Sequence, residues 1–310
     1  MWVSLPLPHA TTDIVKIALA LFLVRLLSLI PLPILHFLAV PLGWLAWSLP
    51  ARRHTIITTN LKIAFPELDE RQRRRLHRAH LVEMMRLVLE TGAVWYWPEH
   101  KITRHIRQVD GWEHVERARR RGKGYLIVGA HLGNWEILNL WGTIRLPVIC
   151  LYKRPSNPEL DALVTRSRER FGGRLVASGS AAMRGVLEQL RSGGGVGLLM
   201  DQQPKQGEGV FAPFFGRPAL TMTLVQRLAR KTGCEVLLVH TRRLGRGRGW
   251  QVGFSPAGPR IADADPQVSI SLMHEWLEER IGEVPSQYLW SYKRYALQPP
   301  GIDSPYPVRS

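Results

Sequence analysis

The sequence predicts an α/β domain built around a largely parallel sheet. Beyond Gly111, short apolar runs alternate with helical segments, a pattern typical of parallel strands joined by crossover helices. With 310 residues, the chain is long enough to bury a sizeable core. The apolar runs are YLIVG, PVICLY, GVGLLM and CEVLLVH, and the helical segments lie near 112–121, 136–145, 158–171, 180–192, 221–232 and 267–281.

An apolar N-terminal segment precedes this domain and predicts contact with a membrane. Residues 31–50 carry no formal charge but contain four prolines, so together with residues 14–30 they could form one span or a helical hairpin in the interface. Arg52 and Arg53 follow directly, and the positive-inside rule places the basic remainder of the chain on the cytoplasmic side. We therefore divide the chain into an anchor or interfacial segment, 1–50, and a globular domain, 51–310.

The first long helix of the globular domain is predicted within FPELDERQRRRLHRAHLVEMMRLVLETGAVWYWP. Asp69 stands where an N-cap is expected, ahead of a strongly basic first stretch. Leu81, Met84, Met85 and Val88 share one face at helical spacing, which predicts that this face is buried.

The charge balance favours anionic partners. The net charge of +17 suits nucleic acid, an anionic membrane face, or an acidic protein or substrate. The basic stretch RRLGRGRGW could pass for an RNA-binding loop, but its place between two apolar runs favours a hairpin connection. Cys150 and Cys234 each lie in an apolar run and are expected to be reduced core residues.

Polar residues directly follow three of the predicted strands. His131, the pair Lys153–Arg154 and Asp201 all stand just beyond an apolar run. In open α/β sheets, ligands bind beyond the carboxyl ends of the strands. We therefore expect these residues to contribute to one shared site.

The stretch VGAHLGNWEI suggests the chemistry of that site. Gly133 allows close approach of the backbone and Asn134 is a plausible N-cap, so His131 can fold back over the first helical turn towards Glu136. A carboxylate on one ring nitrogen would leave the other free as a general base, with a substrate hydroxyl as the nucleophile. The competing interpretation is a buried structural histidine. A zinc site is disfavoured because no second histidine stands at helical spacing.

The block AHLGNWE resembles the H-x4-D/E block of the lysophospholipid and glycerolipid acyltransferase superfamily. In particular, it is similar to that of the bacterial lipid A biosynthesis acyltransferases, the lauroyl and myristoyl transferases. Six further blocks match in the same order, so the resemblance extends from about Leu29 to Tyr295. They are FPELDERQRRRL, ETGAVWYWP, LYKRPSNPELDALVTRSRERFGG, LLMDQQP, GVFAPFFGRPALT and PSQYLWSYKRY.

This resemblance implies a glycerolipid-acyltransferase-like domain in 51–310 that transfers a fatty acyl chain from acyl carrier protein to a lipid A precursor of the Kdo-lipid IVA type. The reaction would take place at the cytoplasmic side of the bacterial inner membrane, on an anionic membrane surface, without cofactor, metal or nucleic acid. His131 would deprotonate the acceptor hydroxyl, and Glu136 would orient and charge the ring.

The resemblance also implies a set of substrate-binding residues. Arg168 matches an arginine that binds phosphate or the developing oxyanion, and Asp201 an acidic position lining the same pocket. Arg154 and Arg217 lie in blocks associated with donor or acceptor, and Asn134 joins this set from within the histidine block. For Arg154, Asp201 and Arg217, a structural salt bridge or loop anchor is the alternative.

One departure concerns the acceptor. The family often ends with Trp-x-His-Arg-Arg, whereas this chain has Trp290, Ser291, Tyr292, Lys293 and Arg294, which retains charge but lacks the histidine. Two alternatives therefore stay open: acylation of another lipid, such as an ornithine lipid or a glycolipid, and a basic membrane protein without catalysis.

Overall fold

A seven-stranded, mostly parallel sheet forms the centre of the molecule, as the alternating pattern predicts. The computed structural model describes residues 10–155, 157–177 and 179–307. The strand order is β1-β9-β8-β2-β5-β3-β4, and only β8 and β9 run antiparallel to each other. The strands are β1 (Ile106–Asp110), β2 (Tyr125–Gly129), β3 (Val148–Tyr152), β4 (Arg174–Ala177), β5 (Gly195–Leu199), β8 (Glu235–Leu244) and β9 (Gly249–Pro256). A separate antiparallel pair consists of β6 (Gly209–Phe214) and β7 (Arg217–Met222).

Helices surround the sheet, and those after Gly111 lie where the sequence predicts them, with ends that shift by only a few residues. They are α7 (Trp112–Arg121), α8 (Trp135–Arg145), α9 (Pro158–Glu169), α10 (Ser180–Arg191), α11 (Leu224–Thr232) and α12 (Pro266–Glu283). The preceding helices are α1 (Ala10–Leu29), α2 (Leu32–Ser48), α3 (Arg52–Ala64), α4 (Glu70–Leu89), α5 (Thr91–Tyr96) and α6 (Glu99–His105).

Helix α4 begins at the predicted cap. The Asp69 carboxylate accepts a hydrogen bond from the Gln72 backbone N–H, and the Gln72 side chain bonds back to the Asp69 N–H, which satisfies two donors of the first turn. On the predicted apolar face, Leu81 is buried, Met84 and Met85 are half-buried, and Val88 is 55% exposed.

Helices α1 and α2 pack on the globular body with one side and leave the other exposed. Leu32, Leu35 and Ala39 of α2 are buried in the same core cluster as the strand residues Ile127 and Val239. The opposite side carries large apolar side chains in the open, which we call the outer apolar face. It consists of Leu19, Phe22, Leu23, Leu26 and Leu29 of α1, with Ile34, Phe37, Leu38, Leu42, Trp44 and Leu45 of α2.

No single helix among the described residues has the length and hydropathy to cross a membrane. Helices α2 and α3 reach that threshold only as a pair, and they are bent by 99° at the break between them. Residues 1–9 of the predicted N-terminal segment lie outside the described residues.

The prediction for the basic stretch is confirmed, since Arg242–Trp250 connects the antiparallel strands β8 and β9 as a hairpin. Cys150 in β3 and Cys234 before β8 are both free thiols as expected, but only Cys234 is buried in the core, whereas Cys150 is half-buried.

Candidate active site

The register of the sheet brings His131 and Asp201 together. Strands β2 and β5 are parallel neighbours in which Gly129 pairs with Leu199, so His131 and Asp201 each stand two residues beyond a paired position. His131 Nδ1 lies 2.8 Å from Asp201 Oδ1, and the His131 backbone N–H donates to Oδ2 over 3.0 Å. Two neighbouring strand ends thus deliver an imidazole and a carboxylate to one point, as the strand-end argument predicts.

The loop that carries His131 is fixed from several sides. Gly133 adopts a left-handed φ of +65°, and a Cβ there would meet the Thr241 carbonyl oxygen at 2.1 Å, so only glycine fits. The Gly133 N–H donates to the carbonyl of Gln287 over 3.1 Å, and the Leu289 N–H donates to the His131 carbonyl over 3.1 Å. The catalytic loop, residues 130–134, is therefore held by β8 and by the segment that follows α12.

The surroundings of His131 suit a general base. Burial disfavours charge on the ring, but the Asp201 carboxylate outweighs this effect, and the pKa of His131 lies above its usual value. The Asp201 contact fixes the proton on Nδ1, because the carboxylate accepts it, and leaves a lone pair on Nε2. Trp135 packs edge-on against the ring at 4.8 Å between centroids, and the Gln202 amide nitrogen lies 3.2 Å from Nε2.

Glu136 does not bond to the histidine, contrary to the expectation that it orients the ring. Its carboxylate instead accepts two hydrogen bonds from Arg168, one of them from Nε over 2.8 Å and the other from Nη2. Asp201 follows β5, the strand next to β2, so its carboxylate reaches His131 Nδ1 directly. Asp201 therefore occupies the position that was expected for Glu136 in the first turn of α8. Glu136 still acts on the ring electrostatically, because its charge also favours the protonated form of His131 and so raises its pKa.

The other predicted site residues are distributed over the surface and interior. Asn134 caps α8, with Oδ1 accepting from the Ile137 N–H over 3.2 Å, and it is fully buried; its contact with substrate stays a prediction. Arg154 is 66% exposed at its side chain and pairs with Asp161. Arg217 bonds the carbonyl of Asp303 over 2.6 Å. For these two arginines, the structure shows the anchoring contact that was the alternative, and substrate binding stays a prediction.

Two residues near the histidine were not singled out as site residues. Gln202 follows Asp201 in the chain, so its contact with Nε2 could have been suspected from the MDQQP block alone. Arg294 is buried, donates to the Leu220 carbonyl over 2.6 Å, and its charge contributes to the lowered pKa of Asp201. Arg294 lies in the block PSQYLWSYKRY, at the last position of the Trp-x-His-Arg-Arg pattern, but the pattern alone does not show that it lies near Asp201.

An apolar cavity lies between the sheet and α8, next to these groups. Its volume is about 100 Å³, and it is partly open to solvent. Trp135, Glu136 and Arg168 line it and also line a second cavity against α5. Its apolar walls include Ile127, Leu138, Leu146, Val148, Leu199, Val239 and Phe254.

A thiol also lines this cavity, and its protonation bears on the chemistry. Burial raises the pKa of Cys150 to about 12, so the thiol stays protonated near neutral pH and is a poor nucleophile. The site therefore offers a base and a positive charge, with an apolar cleft beside them. That combination suits attack by a substrate hydroxyl on a carbonyl attached to a long apolar chain.

Comparison with known proteins agrees with this chemistry. The family model described as bacterial lipid A biosynthesis acyltransferase matches residues 9–296. The chain is 30% identical to the lipid A biosynthesis lauroyltransferase of Escherichia coli, over 89% of this chain and 90% of that protein. It is 26% identical to the palmitoleoyltransferase of the same organism over the same shares, and 28% identical to a phosphatidylinositol mannoside acyltransferase of Mycobacterium tuberculosis over 51% of this chain and 54% of that protein. The chain belongs to the bacterial lipid A biosynthesis acyltransferase family.

Proposed function

We propose that this acyltransferase moves a fatty acyl chain from acyl carrier protein to a hydroxyl group of a lipid A precursor. The observation that carries the proposal is the 2.8 Å contact between His131 Nδ1 and Asp201 beside an apolar cavity. The family to which the chain belongs includes lipid A lauroyl, palmitoleoyl and myristoyl transferases, which supports a lipid A precursor as the acceptor.

In this mechanism His131 Nε2 removes the proton from the acceptor hydroxyl as its oxygen attacks the thioester carbonyl. The new C–O bond forms while Asp201 stabilises the imidazolium, and Arg168, which lines the cavity, would stabilise the negative charge that develops on the carbonyl oxygen. The C–S bond then breaks, and the imidazolium returns its proton to the leaving thiolate. No covalent acyl-enzyme is needed, in keeping with a protonated Cys150.

The apolar cavity is the proposed binding site for the acyl chain. Its walls come from the sheet and from α8, and Glu136 and Arg168 are its charged lining residues. Burial of methylene groups stabilises a bound chain by about 0.8 kcal/mol each. A thioester at the Glu136–Arg168 pair would place its carbon chain among the apolar walls.

We further propose that the outer apolar face sits on the cytoplasmic surface of the inner membrane. Exposed apolar patches of this extent mark contact with a membrane or a protein. Arg52 and Arg53 are exposed at the start of α3 and would meet anionic head groups. In this arrangement residues 1–50 attach the catalytic domain, 51–310, to the surface that holds its acceptor, and the net charge of +17 attracts the acidic carrier protein.

The test is an acylation assay with vesicles that contain the lipid A precursor and with labelled acyl-acyl carrier protein. We expect a new acylated lipid from the wild-type protein and a rate about 10²–10⁴-fold lower from His131→Ala. Substitution of the exposed His100 by alanine should leave the rate unchanged. An equal rate in His131→Ala would refute the assignment of the base.

A glycolipid acceptor is the second candidate, because the chain also resembles a phosphatidylinositol mannoside acyltransferase over half its length. The same assay with phosphatidylinositol mannoside or an ornithine lipid in the vesicles separates the candidates. Product from one of these lipids and none from the lipid A precursor would overturn the proposed acceptor but not the proposed base.

A further inference from the structure

A buried carboxylate outside the catalytic site forms hydrogen bonds with residues from three distant parts of the chain. Glu90 stands at the junction of α4 and α5 and is fully buried. Its Oε1 accepts a hydrogen bond from His36 Nε2 of α2 over 2.7 Å. Its Oε2 accepts from Arg243 Nε over 2.8 Å and from Asn134 Nδ2, at the N-cap of α8, over 2.7 Å.

The charge of this carboxylate is stable. Burial alone would raise the pKa of Glu90, but Arg243 and His36 outweigh burial and hold the pKa below its usual range. A buried carboxylate persists only with such a cation and with its lone pairs bonded. Arg243 also lies 3.5 Å from Glu83, so its charge is shared between two carboxylates. Neutralisation does not explain the contact with Asn134, however, because that side chain carries no charge.

The hydrogen bonds that begin at Glu90 also reach the catalytic loop through Arg243. The Gln287 side chain bonds the Arg243 backbone on both sides, accepting from its N–H over 2.8 Å and donating to its carbonyl over 3.2 Å. The carbonyl of the same Gln287 accepts from the Gly133 N–H. Glu90 thus fixes Asn134 directly and, through Arg243 and Gln287, fixes the residue before it.

We propose that Glu90 is a positioning residue that ties α2 to the catalytic loop. Through Asn134 it sets the first turn of α8, which carries Trp135 against the His131 ring and Glu136 against Arg168. Through His36 it joins that turn to the helix whose other side is the outer apolar face. The proposal rests in part on the membrane contact proposed above, since seating of α2 on lipid would then stabilise the reactive geometry of the loop.

The sharpest variant is Asn134→Ser. Serine caps a helix as asparagine does, so α8 keeps its cap, but a serine hydroxyl at this position is too short to replace the bond to Glu90. We expect kcat to fall about tenfold or more, since small misplacements of reacting groups cost up to about a hundredfold, while KM for the acyl donor stays within twofold. The matched control is Asn157→Ser, an exposed asparagine that caps α9 without touching the network, and it should leave kcat unchanged.

A second variant tests the link to α2. In His36→Leu we expect a lower kcat with unchanged co-sedimentation on anionic vesicles, because His36 is buried away from the outer apolar face. Since both residues act through Glu90, the double variant His36→Leu with Asn134→Ser should lose less than the product of the two single losses. Multiplicative losses would overturn the link, as would a kcat for Asn134→Ser equal to that of the wild type.

The control for membrane contact is separate. If the wild-type protein does not bind vesicles, the membrane proposal fails, while kcat of the same variants with acceptor in detergent micelles still decides whether Glu90 positions the loop. Thermal melting of each variant accompanies the kinetics. A loss of kcat that tracks the loss of Tm in Asn134→Ser and Asn157→Ser alike would reduce Glu90 to a structural group and contradict the proposal.

Discussion

At the scale of single residues, the site depends on which carboxylate faces the imidazole. Asp201 is buried. One of its carboxylate oxygens bonds the ring of His131 and the other accepts from the backbone N–H of the same residue, so ring and main chain are fixed together. Glu136 faces Arg168, which keeps a cation next to the cavity in which a carbonyl would react. The two acids thus have different tasks, one with the base and one with the positive charge.

Substitution Asp201→Asn tests this division through pH. The base acts only when His131 is neutral, so kcat/KM should rise with pH, with its midpoint above the ordinary histidine pKa of about 6.5. Without the carboxylate, burial dominates and lowers the pKa of the ring, so the acid limb of the profile should move to lower pH while the maximal rate falls. The exposed N-cap variant Asp265→Asn serves as control. An acid limb that stays in place in Asp201→Asn would assign the titration to another group.

At the scale of elements, the catalytic loop depends on a glycine. In Gly133→Ala the new Cβ would stand 2.1 Å from the Thr241 carbonyl oxygen and force a side chain into left-handed backbone. We expect a loss of about 1–3 kcal/mol or more in the free energy of unfolding, with little remaining activity. Gly282→Ala, in an exposed part of α12 with no atom near its added Cβ, should instead stabilise by about 0.5–1 kcal/mol. Denaturant unfolding and the acylation assay measure both effects, and an active Gly133→Ala of normal stability would contradict the steric argument.

Helix α8 also shapes the cavity, which leads to a prediction about chain length. Gly142 lines the cavity, and no atom lies within 4 Å of a Cβ added there, so Gly142→Leu can place its side chain in the empty space. We expect the preferred acyl chain to become shorter, while the rate with the shortest accepted donor changes little. A series of acyl-acyl carrier protein donors measures this preference, with Gly282→Leu as the matched control. An unchanged preference would place the acyl chain elsewhere.

The elements also show where sequence reasoning succeeds and where it stops. Strand alternation predicts the sheet. The strand-end rule predicts one shared site for His131, Lys153–Arg154 and Asp201, and the structure brings together only His131 and Asp201, since Arg154 pairs with Asp161 at the surface. The rule does not predict the direct bond between His131 and Asp201, which requires β2 and β5 to be neighbours with Gly129 opposite Leu199. The local pairing of His131 with Glu136 is wrong for the same reason, because spacing along the chain carries no information about a strand that arrives from seventy residues away. The hydrogen-bond partners of Glu90 come from three distant segments, so no local sequence pattern could predict them.

At the scale of the whole molecule, most of the exposed large apolar side chains among the described residues belong to α1 and α2. Helices α1 and α2 expose their large apolar side chains together, while most of the 42 lysines and arginines lie elsewhere along the chain. A monomer in water gains nothing from such a patch, and the same helices bury their other side in the core around Leu35 and Trp97. Each helix thus contributes one side to the core and presents the other for the proposed contact with a membrane.

Removal of the most exposed side chains of this face should separate contact from folding. Phe37 and Trp44 are 74% and 67% exposed, so replacing both by serine costs little packing in the folded protein. Each contributes up to about 1.5–3 kcal/mol when withdrawn from water, so binding to anionic vesicles should weaken by at least about tenfold while Tm changes little. Ile302→Ser, at an exposed apolar residue outside α1 and α2, should bind vesicles as the wild type does.

Acylation of a vesicle-embedded acceptor should fall in parallel with binding, whereas acylation in detergent micelles should not, because the His131–Asp201 pair is untouched. Equal vesicle binding by the double variant and the wild type would mean that some other surface of the molecule meets the lipid.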